Sequence, residues 1–115
     1  MLEAKAQTKH LRVPPRKARL VADMIRGLKI EEATLQLQFC PQKTGRLLLK
    51  TLDSAVANAE MRFSVQRRDL FVKEVRVDAG AVMKRAKSKS KGGRVPVMKR
   101  TSHFTVVVGA AEEGK

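Results

Sequence analysis

The sequence predicts an α+β domain: an N-terminal strand, three helices, then two strand runs that extend into a long basic arm. Three observations carry this expectation. Pro14 and Pro15 break an opening strand-like stretch, the apolar spacing is helical from there to residue 63, and after Arg68 the period drops from about 3.6 to about 2. A chain of 115 residues fits a single domain spanning residues 1–115, because two halves would each approach the size at which a core fails to form. Folded compactly, such a chain buries roughly 65% of the surface exposed when unfolded, enough for a core without disulfide or metal.

Residues 2–13 contain no Gly or Pro and set Ala4, Ala6 and Thr8 two apart, with Leu11 and Val13 continuing in the opposite phase; this reads as an edge strand. Pro14 and Pro15 fix two φ angles and lack N–H donors. Pro15 suits the first turn of a helix, where that donor has no partner to lose. Ala18, Val21, Ile25 and Leu28 then recur at helical spacing, Arg16, Lys17 and Arg19 fall largely elsewhere, and Gly27 can end the helix. Residues 30–39 read as a second, short helix with Glu31 and Glu32 in its first turn, where the helix dipole favours acids, and Pro41 closes it. Across residues 42–63, Leu49, Leu52, Val56, Ala59 and Phe63 repeat every three and four, flanked by Leu48 and Ala55, which predicts the long core helix. Ala55, Ala57 and Ala59 leave room for another element to pack closely.

From residue 70, alternation places Phe71, Val75, Val77 and Ala79 on one strand face and Leu70, Val72, Glu74 and Arg76 on the other. Residues 101–108 form a second β-rich run able to pair antiparallel with it. The intervening stretch is too long for a tight turn. A two-stranded arm over residues 83–100 solves the problem, with 83–85 and 97–99 as its strands and the tip near Lys91, Gly92 and Gly93. At ~3.3 Å per residue, about ten residues project on the order of 30 Å.

Lys and Arg number 25 against 11 Asp and Glu, a formal net charge of +14, so a polyanion is the leading partner. No acid stands between Asp78 and Glu112, yet Lys84, Arg85, Lys87 and Lys89 lie there, followed by Lys91, Arg94, Lys99 and Arg100. Ser88, Ser90, Gly92 and Gly93 let backbone approach phosphate while these cations neutralise it. An isolated ribbon with so few apolar side chains does not offset its own ordering entropy, so the arm is expected to order against a partner. A second set, Lys5, Lys9, Arg12, Arg16, Lys17 and Arg19, lies between Glu3 and Asp23 with no acid among them. Neutralising ~8 phosphates gives log affinity a slope of about −6 to −7 against log salt. With four Phe and no Trp or Tyr, an aromatic base-stacking platform is not expected.

Catalytic readings find little to build on. Cys40 is the one cysteine, so no intrachain disulfide forms, which fits a reducing compartment; lacking a local His or acid, it reads as a buried, inert thiol. His10 and His103 are far apart in sequence with no obvious further ligands, so no metal is expected, and no glycine-rich phosphate or dinucleotide motif points to another cofactor. A hydrolase would need a convergent catalytic set that two His, one Cys and scattered acids do not supply. The longest apolar runs, residues 47–49 and 106–108, fall far short of the ~20 residues of a membrane span, and the first residues carry no signal-peptide core.

Four stretches, RVPPRKARLVADMIRG at 12–27, LDSAVANAE at 52–60, VRVDAGAVMKR at 75–85 and KRTSHFTVVV at 99–108, together resemble the large-ribosomal-subunit proteins of the L-twenty-two type, a universal family, in its bacterial form. The likeness runs in order along nearly the whole chain. It implies three helices on a three-stranded antiparallel sheet, seated on the outside of the large subunit, with an extended hairpin lining the nascent-peptide exit tunnel. The implied partners are large-subunit (23S-type) ribosomal RNA, neighbouring ribosomal proteins and the nascent peptide near the arm tip, for a chain that is a monomer when free, in a cytoplasmic or organellar ribosome. Help in early subunit assembly and an influence on macrolide action are implied too. Carried over by position, residues 83–85 and 99–100 are arm strands against RNA, residues 87–94 are the tip, and Arg16 and Lys17 meet RNA at the start of the first helix.

The candidate RNA-binding residues are therefore Lys9, Arg12, Arg16, Lys17 and Arg19 on the body. On the arm they are Lys84, Arg85, Lys87, Lys89, Lys91, Gly92, Gly93, Arg94, Lys99 and Arg100. The chain departs from the family twice: Pro14 stands where a helix-capping Ser is common, and the tip KSKSKGGR replaces an arginine-rich pattern, exchanging planar guanidinium groups for flexible ammonium ones. The competing reading is an architectural DNA-binding protein with a basic minor-groove arm, which would call for a hydrophobic dimer face and an apolar wedge at the tip.

Overall fold

Pro14 and Pro15 divide β1 (Leu2–Leu11) from α1 (Pro15–Ile25) in the computed structural model, which describes residues 2–88 and 94–110, with the side chains of residues 3–82 and 100–110. Then come α2 (Ile30–Gln38), α3 (Lys43–Phe63), a single 3₁₀ turn (Arg67–Asp69), β2 (Leu70–Ser88) and β3 (Arg94–Ala110). The strands form one antiparallel sheet in the order β1-β3-β2. The architecture is thus the predicted one: three helices on a three-stranded sheet, with β1 at an edge.

The first helix begins and ends for local reasons. Pro14 contributes its carbonyl to the amide of Ala18 at 3.1 Å but no side-chain cap, and Pro15 fills the first position of α1 at no hydrogen-bond cost. Gly27 sits at φ +86°, the left-handed backbone that lets the chain turn away from α1. The turned segment is stitched to β2, with Gly27 N–H donating to Val72 O at 3.0 Å and Val72 N–H to Leu28 O at 2.8 Å. Gly45, in the first turn of α3, faces the end of α2: a Cβ there would lie 2.7 Å from Cys40 Cβ and 3.1 Å from Leu37 O. Cys40 is thus half-buried against Gly45 rather than fully buried as expected. Of the small residues on α3, Ala55 and Ala59 are buried, whereas Ala57 is exposed and takes no part in close packing.

The core face of the sheet is a set of three-residue rows: Ala4–Val108–Val72, Ala6–Val106–Val75, Thr8–Phe104–Val77 and Leu11–Ser102–Ala79. Phe104, Val106 and Val108 on the central strand are fully buried beneath Val21 and Ile25 of α1 and Leu48, Leu52 and Val56 of α3, which belong to the same apolar cluster. The expected faces of β2 need correction. Its buried positions are Leu70, Val72, Val75 and Val77, with Phe71 on the opposite face, because an extra residue at Lys73 shifts the register and inverts the alternation. A second shift lies between Ala79 and Val82, and β1 carries one between Thr8 and Leu11, where His10 adopts φ +61°. That bulge accounts for the change of phase at Leu11.

Beyond the core rows, β2 and β3 stay paired as a two-stranded hairpin from Val82↔Arg100 out to Ser88↔Arg94. The pairing expected over residues 83–85 and 97–99 is present and longer than predicted. The strand from Gly80 to Ser88 spans about 30 Å at ~3.3 Å per residue.

Candidate nucleic-acid interface

The body's cationic face is built by α1, whose Pro15, Ala18, Val21, Ala22 and Ile25 are buried and whose Arg16, Lys17 and Arg19 are left exposed. Because β2 is an edge strand, its outward carbonyls lack a strand partner, and two arginines of the α1 segment take them. Arg19 Nε donates to Val77 O at 3.1 Å, and Arg26 Nη2 donates to Val75 O at 2.7 Å while also pairing with Asp23. Arg26 escaped the sequence reading. The only available signal was its place seven residues after Arg19, on the same helix face.

Arg16, Lys17 and Arg19 meet Arg100 across a notch of about 440 Å³. Pro14, Pro15 and Ala79 complete its lining, and none of these seven residues is acidic. Arg100 reaches the notch for a reason of register. It lies two residues from Ser102 on β3, on the helix-facing side, one row past the end of the core. Three members of the body set and one of the arm set, some eighty residues apart in sequence, therefore meet at the root of the hairpin. Lys9 and Arg12 are exposed around the β1 bulge and line no part of the notch.

The remaining candidates lie on the hairpin or beyond it. Lys84 stands opposite Met98, Arg85 opposite Val97, Lys87 opposite Val95, Lys99 opposite Met83 and Arg94 opposite Ser88. Among these described pairs no cation faces another directly, which spares the ribbon the cost of like charges across a rung. Lys89, Lys91, Gly92 and Gly93 lie outside the described residues.

The hairpin root is braced by neutral groups. Thr101 Oγ1 donates to Ala81 O at 2.7 Å, spanning the bulge, and Ser102 Oγ donates to Val13 O at 2.6 Å, tying β3 to the segment before α1. A Cβ on Gly80 would meet Thr101 Oγ1 at 2.5 Å, so only glycine fits that approach. His10 and His103, remote in sequence, are neighbours here: the His10 amide donates to His103 Nδ1 at 3.1 Å, and the rings meet edge to face at 5.1 Å. Among the described residues no group of three or more metal-ligating side chains occurs, and no helix is long and apolar enough to cross a membrane.

The family described as ribosomal protein L22p/L17e matches residues 6–109. The chain is 62% identical over 108 residues to the large ribosomal subunit protein uL22 of Protochlamydia amoebophila, covering 94% of this chain and 97% of the relative. It is 60% and 57% identical, with the same coverage, to the proteins of that name from Chlamydia abortus and Chlamydia pneumoniae. A match of this extent assigns the chain to ribosomal proteins and not to enzymes. The chain belongs to the ribosomal protein L22p/L17e family of the large ribosomal subunit.

Proposed function

We propose that the chain is held in the large subunit by contacts to large-subunit ribosomal RNA along one continuous cationic surface, from Arg12 and the start of α1 through the notch and out along the hairpin. The convergence of Arg16, Lys17 and Arg19 with Arg100 at the hairpin root is the observation that carries this reading. Phosphate neutralisation supplies the affinity, and the shape of body and hairpin supplies the fit. The hairpin, a ribbon about 30 Å long by its rise per residue, is suited to lie in the nascent-peptide exit tunnel, with residues 87–94 nearest the passing peptide. A rigid body with a projecting ribbon also suits early assembly, since one chain can bridge separated RNA segments. Leu20 and Met24 on α1, and Leu35 on α2 with Phe39 just past its end, are exposed apolar pairs four residues apart, a surface suited to neighbouring ribosomal proteins.

Cofractionation tests the reading. The tagged chain is expected with large subunits in high-magnesium gradients. Purified chain is expected to bind a large-subunit RNA transcript with a log–log salt slope of about −6 to −7 for ~8 neutralised phosphates. Equal affinity for duplex DNA and for the transcript, by a dimer in sedimentation, would support the architectural DNA-binding reading instead.

A further inference from the structure

We propose that the notch at the hairpin root holds one phosphodiester group of RNA, gripped from the body by Arg16 and Arg19 and from β3 by Arg100, and that this shared anion sets the angle at which the hairpin leaves the body. The inference rests on the RNA-binding reading above and specifies one contact within it.

The notch volume of about 440 Å³ falls within the roughly 300–1,000 Å³ of ligand pockets, which is ample for a phosphodiester with its flanking sugars. Four cations line it without an acid, so they repel one another until an anion joins them. Three of the four are arginines, whose planar donor forks match the oxygens of a phosphate better than a point charge does. Arg19 is already anchored through Nε to Val77 O, which removes part of the ordering cost of binding. Pro14 and Pro15 offer ring surface without N–H donors, which suits the sugar side of the ligand. A carboxylate-rich peptide shares the anionic chemistry, but the cations continuing from Arg100 along the hairpin ask for a partner with evenly repeated charge, as RNA has.

The bridging role follows from where the notch lies. β1 ends at Leu11, opposite Ser102, and one row farther out the β2–β3 pair stands alone, bent at the extra residue between Ala79 and Val82. Arg100 belongs to that first unsupported row, whereas Arg16 and Arg19 belong to the body. An anion touching all three links the two parts directly across the bend.

A double-mutant cycle on the full chain tests this. Arg16→Gln, Arg100→Gln and the pair are titrated with a large-subunit RNA transcript over a range of salt, with thermal melting confirming that each variant folds. If both arginines hold the same phosphate, each single substitution weakens binding roughly tenfold or more and lowers the salt slope by about 0.7–0.9, and the double substitution does little more than either. Arg12→Gln combined with Arg100→Gln multiplies instead, because Arg12 lies outside the notch. Multiplying effects for Arg16 and Arg100, unchanged binding in both singles, or competition by polyglutamate as strong as by RNA overturns the proposal while leaving RNA binding intact. A wild-type chain that binds the transcript without salt dependence overturns the RNA reading itself.

Discussion

Replacing Gly80 by alanine sets two opposing effects against each other at the hairpin root. In an open strand the change would stabilise the fold, because glycine costs about 0.5–1 kcal/mol relative to alanine through backbone entropy. Here the new Cβ would lie 2.5 Å from Thr101 Oγ1 and 3.0 and 3.1 Å from Cε1 and Nε2 of His103. The Thr101 hydroxyl is not free to swing aside: the residue is 5% exposed and Oγ1 donates to Ala81 O at 2.7 Å. Moving it gives up a bond worth about 1 kcal/mol, and overpacking adds about 1–3 kcal/mol, so after the gain from removing glycine the net is a loss of about 1–3.5 kcal/mol. With an unfolding entropy of about 2.1 cal/mol/K per residue over 115 residues, 1 kcal/mol corresponds to about 4 °C, and the melting temperature should fall by about 4–14 °C. Thermal unfolding of the full chain followed by circular dichroism reads this directly. In a Thr101→Ala background the closest contact is gone and the penalty for alanine at residue 80 should shrink to about 1 kcal/mol or less. An unchanged or raised melting temperature for Gly80→Ala would refute the close approach and the account of the bend built on it.

Phe104→Ala empties the centre of the sheet's core face and should cost about 3–5 kcal/mol, read as a lower denaturant midpoint. Deleting residues 87–94 removes rungs formed only within the hairpin, so the melting temperature should stay within about 2 °C of the full chain. Four cations go with that deletion, so the RNA salt slope should become shallower by about 3.

Where a residue's effect is local, its consequence was legible in the sequence. Pro15 starts α1 and Gly27 turns the chain out of it because each acts through its own φ, and the 3.6-residue spacing locates the three helices to within a residue or two at each end. Effects that depend on a partner strand were not legible in the same way. On β2, Leu70 and Val72 fall in one phase and Val75 and Val77 in the other, and a uniform alternation splits them onto two faces. The two out-of-phase apolar pairs were the available sign of the bulge at Lys73. The long acid-free stretches announced a polyanion, but Arg100 joins Arg16, Lys17 and Arg19 only once the register with Ala79 and Val82 is set. Cys40 followed the same pattern, since its partial burial depends on Gly45 across the α2–α3 turn.

On either side of Ser102 the two edge strands each carry an extra residue against the central strand, β1 opposite His103, between Thr8 and Leu11, and β2 opposite Thr101, between Ala79 and Val82. Bulges on both edges increase local twist, and β1 ends there, so three strands become two at one joint. The groups that hold the joint together are neutral: Ser102 on Val13 O, Thr101 on Ala81 O, and the His10 amide on His103. The groups assigned to the ligand, Arg16, Arg19 and Arg100, are exposed cations around its rim. This division makes stability and binding separable. Ser102→Ala leaves the buried Val13 carbonyl without its donor and should cost about 1–3 kcal/mol, or about 4–12 °C, with the RNA salt slope unchanged. Arg100→Gln should lower the slope by about 0.7–0.9 while moving the melting temperature by less than about 2 °C, because an exposed side chain contributes little to folding. If both substitutions move both readouts together, the joint is a single cooperative unit and its neutral brace and charged rim cannot be assigned different tasks.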